Sequence, residues 1–283
     1  NAAGCEVTLL IRKDRVLSTW ERRASMTLTR ELKRRGVNVI ARTAVDRVDT
    51  GANLGATVHY RQGDSDEDRT AYGEVVLAAI GRVPNTDADW FRSSGLKLDE
   101  RGYVTVDGYG RTNLDGVWAL GDITPGHALA HRAFEQGITI AEKIAGADPK
   151  PVIDDTVPQV VFSFPEAASV GLTLDQAKAR EDVVEPKEPA YPMLSNARML
   201  MSGTAGSLTI VSGCDAANPD TPRVLGVHMV SQMASDIIAE AEQLVGNHVP
   251  LADAARLVHP HPTFSETLGE ALLKADGRPL HTR

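Results

Sequence analysis

The chain has little cysteine, no long apolar run and a deficit of positive charge. Only Cys5 and Cys214 occur in 283 residues, too few and too far apart for a disulfide framework or a CxxC metal site. No apolar run approaches the roughly 20 residues of a membrane-spanning helix. No charged-then-apolar leader or lipidation signal is present either, so a soluble cytoplasmic protein with no membrane partner is expected. Thirty Lys and Arg against 38 Asp and Glu give a net charge of −8. That balance argues against a nucleic-acid partner, because a polyanion needs a basic face. Also missing is any GxGxxG, the phosphate-cradling turn after the first strand of a dinucleotide-binding unit. With Asn1 rather than Met at the start, either the chain opens partway through such a unit or the fold is a different one.

What is present is an ordinary globular composition, 42% hydrophobic and 24% charged, at a length that predicts about two domains. Residues 1–4 read as the end of a helix closed by Gly4, and residues 6–11 (EVTLLI) as a buried strand. Ala24, Leu28 and Leu32 then repeat every four positions in a helix ended by Lys33, Arg34, Arg35 and Gly36. Short strands are expected at 37–40, 56–60 and 74–80 (EVVLAAI), the last one buried, with a polar hairpin tip at 63–68. This α/β order fits the later part of a nucleotide-binding domain. After Pro149 and Pro151 the text becomes α+β. A strand is expected at 159–164, a helix around Gln176, a hairpin of 206–212 with 223–230 around 215–222, and helices at 235–245 and 266–274.

Two stretches carry chemistry. Residues 116–122 (GVWALGD) read as a short buried strand ending in Gly121 and Asp122, followed by a helix at 128–145. Glycine there allows close backbone approach, a carboxylate accepts from a ligand hydroxyl, and the helix N-terminus favours a group that becomes anionic. The second stretch is HPHPTFSE, residues 259–266. Its prolines keep His259 and His261 from a regular metal-binding pair, and no further ligand sits nearby, so no metal is expected. A loop with Ser265 as helix cap is the plain alternative. The functional one is a histidine general base whose other ring N–H is accepted by Glu266, which fixes the tautomer and raises basicity.

Taken with GRVPN (residues 81–85), TNLDGVWALGD (residues 112–122), ALAH (residues 128–131) and VVFSFPEAASVGLT (residues 160–173), these motifs resemble the flavoprotein pyridine nucleotide-disulfide oxidoreductases. The resemblance is to their carboxyl-terminal portion and covers nearly the whole chain. The HxHPTxSE form is most similar to the dihydrolipoyl dehydrogenases. The resemblance implies a partial Rossmann-like NAD(P)-binding domain at 1–80, a returning FAD-binding segment at 81–150 and an α+β dimerisation domain at 151–283.

By position it implies that Asp122 bonds the FAD ribitol beside Gly121. Ala128, Leu129, Ala130 and His131 would lie against the flavin, while Gly81 and Val45 would line the dinucleotide site. His261, oriented by Glu266, would be the base acting on the partner subunit's flavin site. Two departures stand out. No CxxxxC redox pair is present, and Ile11 replaces the acidic residue of NAD-type members. Arg12 and Lys13 follow Ile11, as suits the 2′-phosphate of NADP; a solvated strand end is the plain alternative.

The implied function is a homodimeric FAD enzyme that oxidises dihydrolipoamide and passes hydride to NAD or NADP. Lipoyl-bearing proteins of 2-oxoacid dehydrogenase complexes would be its partners. The alternatives are a thiol-independent quinone or electron-acceptor reductase of the same superfamily and a non-catalytic interface fragment. The chain by itself is expected to be inactive.

Overall fold

The structure is a computed structural model that describes residues 1–51 and 55–282. In chain order the elements are β1 (Thr8–Ile11), α1 (Arg22–Arg34), β2 (Asn38–Ala41), β3 (Thr43–Thr50), β4 (Ala56–Gln62), β5 (Arg69–Gly73), α2 (Asp89–Ser93) and α3 (Ala130–Ile144). There follow β6 (Gln159–Val161), β7 (Glu166–Gly171), α4 (Leu174–Lys178), β8 (Val183–Lys187), β9 (Ala190–Tyr191) and α5 (Ala197–Ser202). The chain closes with β10 (Ser207–Asp215), β11 (Asn218–Ser231), α6 (Ala234–Gly246), α7 (Leu251–Ala254) and α8 (Glu266–Ala275). They sort into two compact units, residues 1–77 with 158–283, and residues 78–157.

In the first unit β1 and β2 pair in parallel and β3, β4 and β5 form an antiparallel meander. The main sheet runs β6-β7-β11-β10-β8, with β9 also on β10. Its central strands are buried over residues 167–170, 207–214 and 224–231, so alternate side chains serve different layers. Leu208, Ile210, Val227 and Met229 join Ile238 and Ala241 of α6 and Leu268 and Leu272 of α8 in one core. Val230 and Ala167 join Ala24 and Leu28 of α1, while Val211 and Leu225 meet Ala177 of α4. Helix α8, which carries the candidate base loop at its head, is therefore anchored in the largest core.

Helix α1 takes the form its sequence predicts. The carboxylate of buried Glu21 accepts from the N–H groups of Arg23 and Ala24 at 2.6 and 2.7 Å, and Gly36 takes φ +85° just past the last turn.

Several expectations need correction. Residues 1–4 form only a turn, with the Gly4 N–H on the Asn1 carbonyl, and the first strand is shorter and half-exposed. Residues 74–80 form no strand, and Val75, Leu77 and Ile80 are almost fully exposed. A buried parallel strand needs neighbours, and among the described residues nothing pairs with the two-stranded β1–β2 sheet beyond those two. The strand at 159–164 stops at Val161, where Ser163 Oγ turns back onto the Pro165 carbonyl and Phe164 stacks under the Arg35 guanidinium. The expected loop at 215–222 is mostly strand. Asp215 pairs with Asn218 across a two-residue turn, and Arg223 grips Asp215 with bonds of 2.6–2.9 Å.

In the second unit, residues 116–120 are not a buried strand; Arg111 and Trp118 form an isolated bridge, and Val117 and Leu120 are over a third exposed. Phe91, Val104 and Ala119 make a small core. Buried Arg132 of α3 reaches Asp154 at 2.6 Å and the Pro125 carbonyl at 2.7 Å.

Candidate active site

Glu266 opens α8, so both carboxylate oxygens are held where the HPHPTFSE loop arrives. Oε1 lies 2.8 Å from Nδ1 of His261, and Oε2 accepts the Thr263 N–H at 2.8 Å. A carboxylate only accepts, so Nδ1 carries the proton and Nε2 keeps the lone pair. The His261 side chain is 71% exposed and that of Glu266 only 21%. The dyad is thus an imidazole facing outward on a carboxylate held by the fold. Ser265 stands at the helix head without a side-chain cap bond; the cap comes from Thr263, whose Oγ1 accepts the Glu266 N–H at 3.4 Å. A hydroxyl two positions earlier reaches the helix because the prolines turn the loop back. Thr263 Oγ1 also donates to the Pro260 carbonyl at 2.7 Å.

Sequence reasoning missed two supports of this loop and a buried tyrosine beside its helix. His259 Nε2 lies 3.0 Å from Glu240 Oε1 of α6, and that hydrogen bond holds the imidazole above its ordinary value against the opposing effect of burial. Asn196 caps α5 through the Met199 N–H and donates to the Thr263 carbonyl at 3.3 Å. Tyr191 is buried beside α8 with its hydroxyl on Ser195 at 3.2 Å; burial pushes the phenol up, and Glu270 and Glu266 add to it. One turn along α8, Glu270 also takes His281, at 2.7 Å. The Asn196 cap and the Tyr191–Ser195 pair are local, but no spacing signals the His259–Glu240, Asn196–Thr263 or Glu270–His281 pairs, since tertiary packing makes them.

The remaining candidates lie apart from the dyad in sequence. Arg12 and Lys13 follow β1 at the surface, and the Lys13 carbonyl accepts the Arg42 N–H at 2.9 Å. Val45 lies in β3, half-exposed. In the second unit Gly81 is exposed with φ +139°. Asp122 sits in a 3-10 turn (Gly121–Ile123), 56% exposed, with Arg82 at 3.9 Å. Gly121 takes φ +72° and gives its N–H to Gln136 of α3 at 2.9 Å, which ties the turn to the helix. Ala128, Leu129, Ala130 and His131 form the approach to α3, whose N-cap Leu129 supplies no side-chain bond.

These residues fit a flavin dinucleotide. An exposed carboxylate suits a polyol, and an N-terminus without a side-chain cap suits a group that becomes anionic. Exposed cations at the end of a parallel strand likewise suit a nicotinamide dinucleotide. Among the described residues no group of three or more His, Cys, Asp or Glu could hold a metal ion, and no helix is long and apolar enough to cross a membrane.

Comparison with known proteins identifies the family. The family described as pyridine nucleotide-disulphide oxidoreductase matches residues 1–137, and the dimerisation domain of the same family matches residues 157–272. The chain belongs to the pyridine nucleotide-disulphide oxidoreductases. It is 37% identical over 279 residues to the dihydrolipoyl dehydrogenase of Cupriavidus necator and 36% identical over 284 residues to that of Geobacillus stearothermophilus. Each alignment covers 98% of this chain and 57% of the relative. Among solved structures, LpdA from Mycobacterium tuberculosis matches with a TM-score of 0.83 at 29% identity, over 96% of this chain and 57% of that one. The chain thus spans little more than half the length of the relatives it matches.

Proposed function

We propose that the chain serves in a FAD-dependent dihydrolipoyl dehydrogenase-type oxidoreductase that oxidises dihydrolipoamide thiols and passes hydride to NAD or NADP. The observation that carries this reading is the His261–Glu266 dyad, an exposed imidazole whose Nδ1 is fixed on a carboxylate. In it, Nε2 of His261 removes the proton from a substrate thiol. The thiolate attacks a redox disulfide that this chain does not itself supply, displacing one of its sulfurs as thiolate. The substrate's second thiol then closes the lipoamide disulfide, and the reduced pair passes two electrons to FAD. Glu266 holds the ring and stabilises the imidazolium that forms. FAD, when bound, supplies the two-electron carrier between thiol and nicotinamide chemistry. Asp122 and Gly121 would hold its ribitol, with Ala128, Leu129, Ala130 and His131 at the isoalloxazine. Val45, Arg12 and Lys13 of the first unit would line the nicotinamide dinucleotide site, and Gly81 stays a dinucleotide candidate by its position in the sequence alone.

The reading assigns residues 1–80 to the dinucleotide domain, 81–150 to the flavin segment and 151–283 to the dimer interface. It makes the protein a cytoplasmic homodimer that works on lipoyl-bearing proteins of 2-oxoacid dehydrogenase complexes. The similarity to two dihydrolipoyl dehydrogenases at 36–37% identity supports it. The test is steady-state turnover of the full-length flavoprotein with dihydrolipoamide and with a quinone or dye. His261→Gln is expected to lower the first by about 10²- to 10⁴-fold and to spare the second. Unchanged dihydrolipoamide turnover in His261→Gln would remove His261 from the base role, and quinone or dye turnover without dihydrolipoamide turnover in the unaltered protein would favour the thiol-independent reductase.

A further inference from the structure

The base loop, residues 259–263, is interrupted by two prolines and has no strand partner, yet it must present one nitrogen of His261 to a substrate. Its two histidines behave in opposite ways. The side chain of His261 is 71% exposed and that of His259 only 9%.

We infer that His259 is a positioning residue for His261: its ring, seated between Glu240 of α6 and the side-chain-free face of Gly269 on α8, fixes the loop so that Nδ1 of His261 meets Glu266. The inference rests on the reading of His261 as the base.

Three observations converge on it. The first is the ion pair, Nε2 of His259 to Oε1 of Glu240 at 3.0 Å, in which Glu240 keeps the imidazole inclined to its charged form. The second is the seat. A Cβ on Gly269 would stand 2.5 Å from Nδ1 and 2.9 Å from Cε1 of His259, so α8 leaves the ring room by lacking a side chain there. Gly269 takes no positive φ, so the glycine serves this close approach and not a turn.

The third is the arrangement along α8. Glu266 and Gly269 are one turn apart on the same helix, so the loop is tied to that helix at both ends. At one end the His259 ring lies on Gly269, and at the other Thr263 N–H lies on Glu266 Oε2 at 2.8 Å. His261 is midway, two residues from either anchor and so within about 7 Å of each along the chain. With the His259 anchor cut, the loop keeps the Thr263 end, the Asn196 bond to the Thr263 carbonyl and the His261–Glu266 contact itself.

The experiment uses the 283-residue chain labelled with 15N, and three variants: His259→Leu, His259→Gln and Glu240→Gln. It reads the His261 tautomer in long-range 1H–15N spectra, hydrogen exchange at the Thr263 amide, and exchange at Leu268 and Leu272 as the control for α8. In the unaltered chain His261 should be the single Nδ1–H tautomer. His259→Leu and Glu240→Gln should each speed Thr263 exchange by about tenfold or more and mix the His261 tautomers, with Leu268 and Leu272 still protected. His259→Gln keeps a donor toward Glu240 and should fall between.

Wild-type exchange and tautomer in both Glu240→Gln and His259→Leu would overturn the inference. If His259→Leu fails to fold, Glu240→Gln decides, because Glu240 is a third exposed. Loss of protection at Leu268 and Leu272 in Glu240→Gln would reduce His259 to a fold-holding role and overturn it too. None of these signals depends on catalysis. The base reading itself is tested separately, by dihydrolipoamide turnover of His261→Gln.

Discussion

Gly269→Ala sets two opposing effects against each other. In an open helix position alanine would be favoured over glycine by about 1 kcal/mol. The site is not open, because the new Cβ would stand 2.5 Å from His259 Nδ1. The ring must leave its seat, which forfeits the hydrogen bond to Glu240. A bond to a charged group is worth about 1.5–3 kcal/mol, discounted toward 1–2 kcal/mol because Glu240 is partly exposed. Crowding of a packed site adds about 1–3 kcal/mol where neighbours cannot yield.

The loss outweighs the helix gain, so the variant should be destabilised by about 1–4 kcal/mol. Urea unfolding followed by circular dichroism measures this as a lower midpoint at unchanged slope. The same substitution made in a His259→Ala chain should instead stabilise, since only the helix preference remains. Stabilisation by Gly269→Ala with His259 in place, or an equal effect in both backgrounds, would refute the reasoning.

Leu208→Ala, in the centre of the main sheet with no exposure, should cost about 2–5 kcal/mol by cavity formation, read from the same unfolding curves. Buried His228 takes the Ser169 hydroxyl at Nδ1 (2.7 Å) and bonds the Leu172 carbonyl through Nε2 (3.0 Å), and burial holds its imidazole below the ordinary value. The unfolded chain therefore takes up a proton that the folded one refuses. Stability should fall as pH drops below about 6.5 toward the depressed folded value, and His228→Gln should flatten that slope in urea midpoints measured against pH. In the full-length flavoprotein Arg12→Glu should weaken NADPH use by about 1–3 kcal/mol in kcat/KM and spare NADH; equal losses with both would return Arg12 to a solvated strand end.

How much was legible depended on whether the signal was local. Helix α1 could be read from Ala24, Leu28 and Leu32 with Gly36 after them, because a 3.6-residue period and a glycine stop need no tertiary partner. The head of α8 could be read for the same reason, since His261 and Glu266 are five positions apart and a helix start brings such residues together. The run EVVLAAI misled because apolar content reports only that a segment can be buried. Whether it is depends on neighbouring strands, and none flanks residues 74–80 among those described. Val161 ending its strand and the long β10–β11 hairpin were set by contacts of Phe164 with Arg35 and of Arg223 with Asp215. The His259–Glu240 pair, 19 residues apart, exists only because α6 and the base loop pack on the same core.

The central claim is that His261 takes the proton of a substrate thiol. Stopped-flow reduction of the flavin in the full-length His261→Gln protein tests it most directly, with dihydrolipoamide and NADH compared in separate half-reactions. Reduction by dihydrolipoamide should slow by about 10²- to 10⁴-fold while reduction by NADH proceeds at the wild-type rate. Wild-type speed with dihydrolipoamide, or equal slowing with both reductants, would contradict the account.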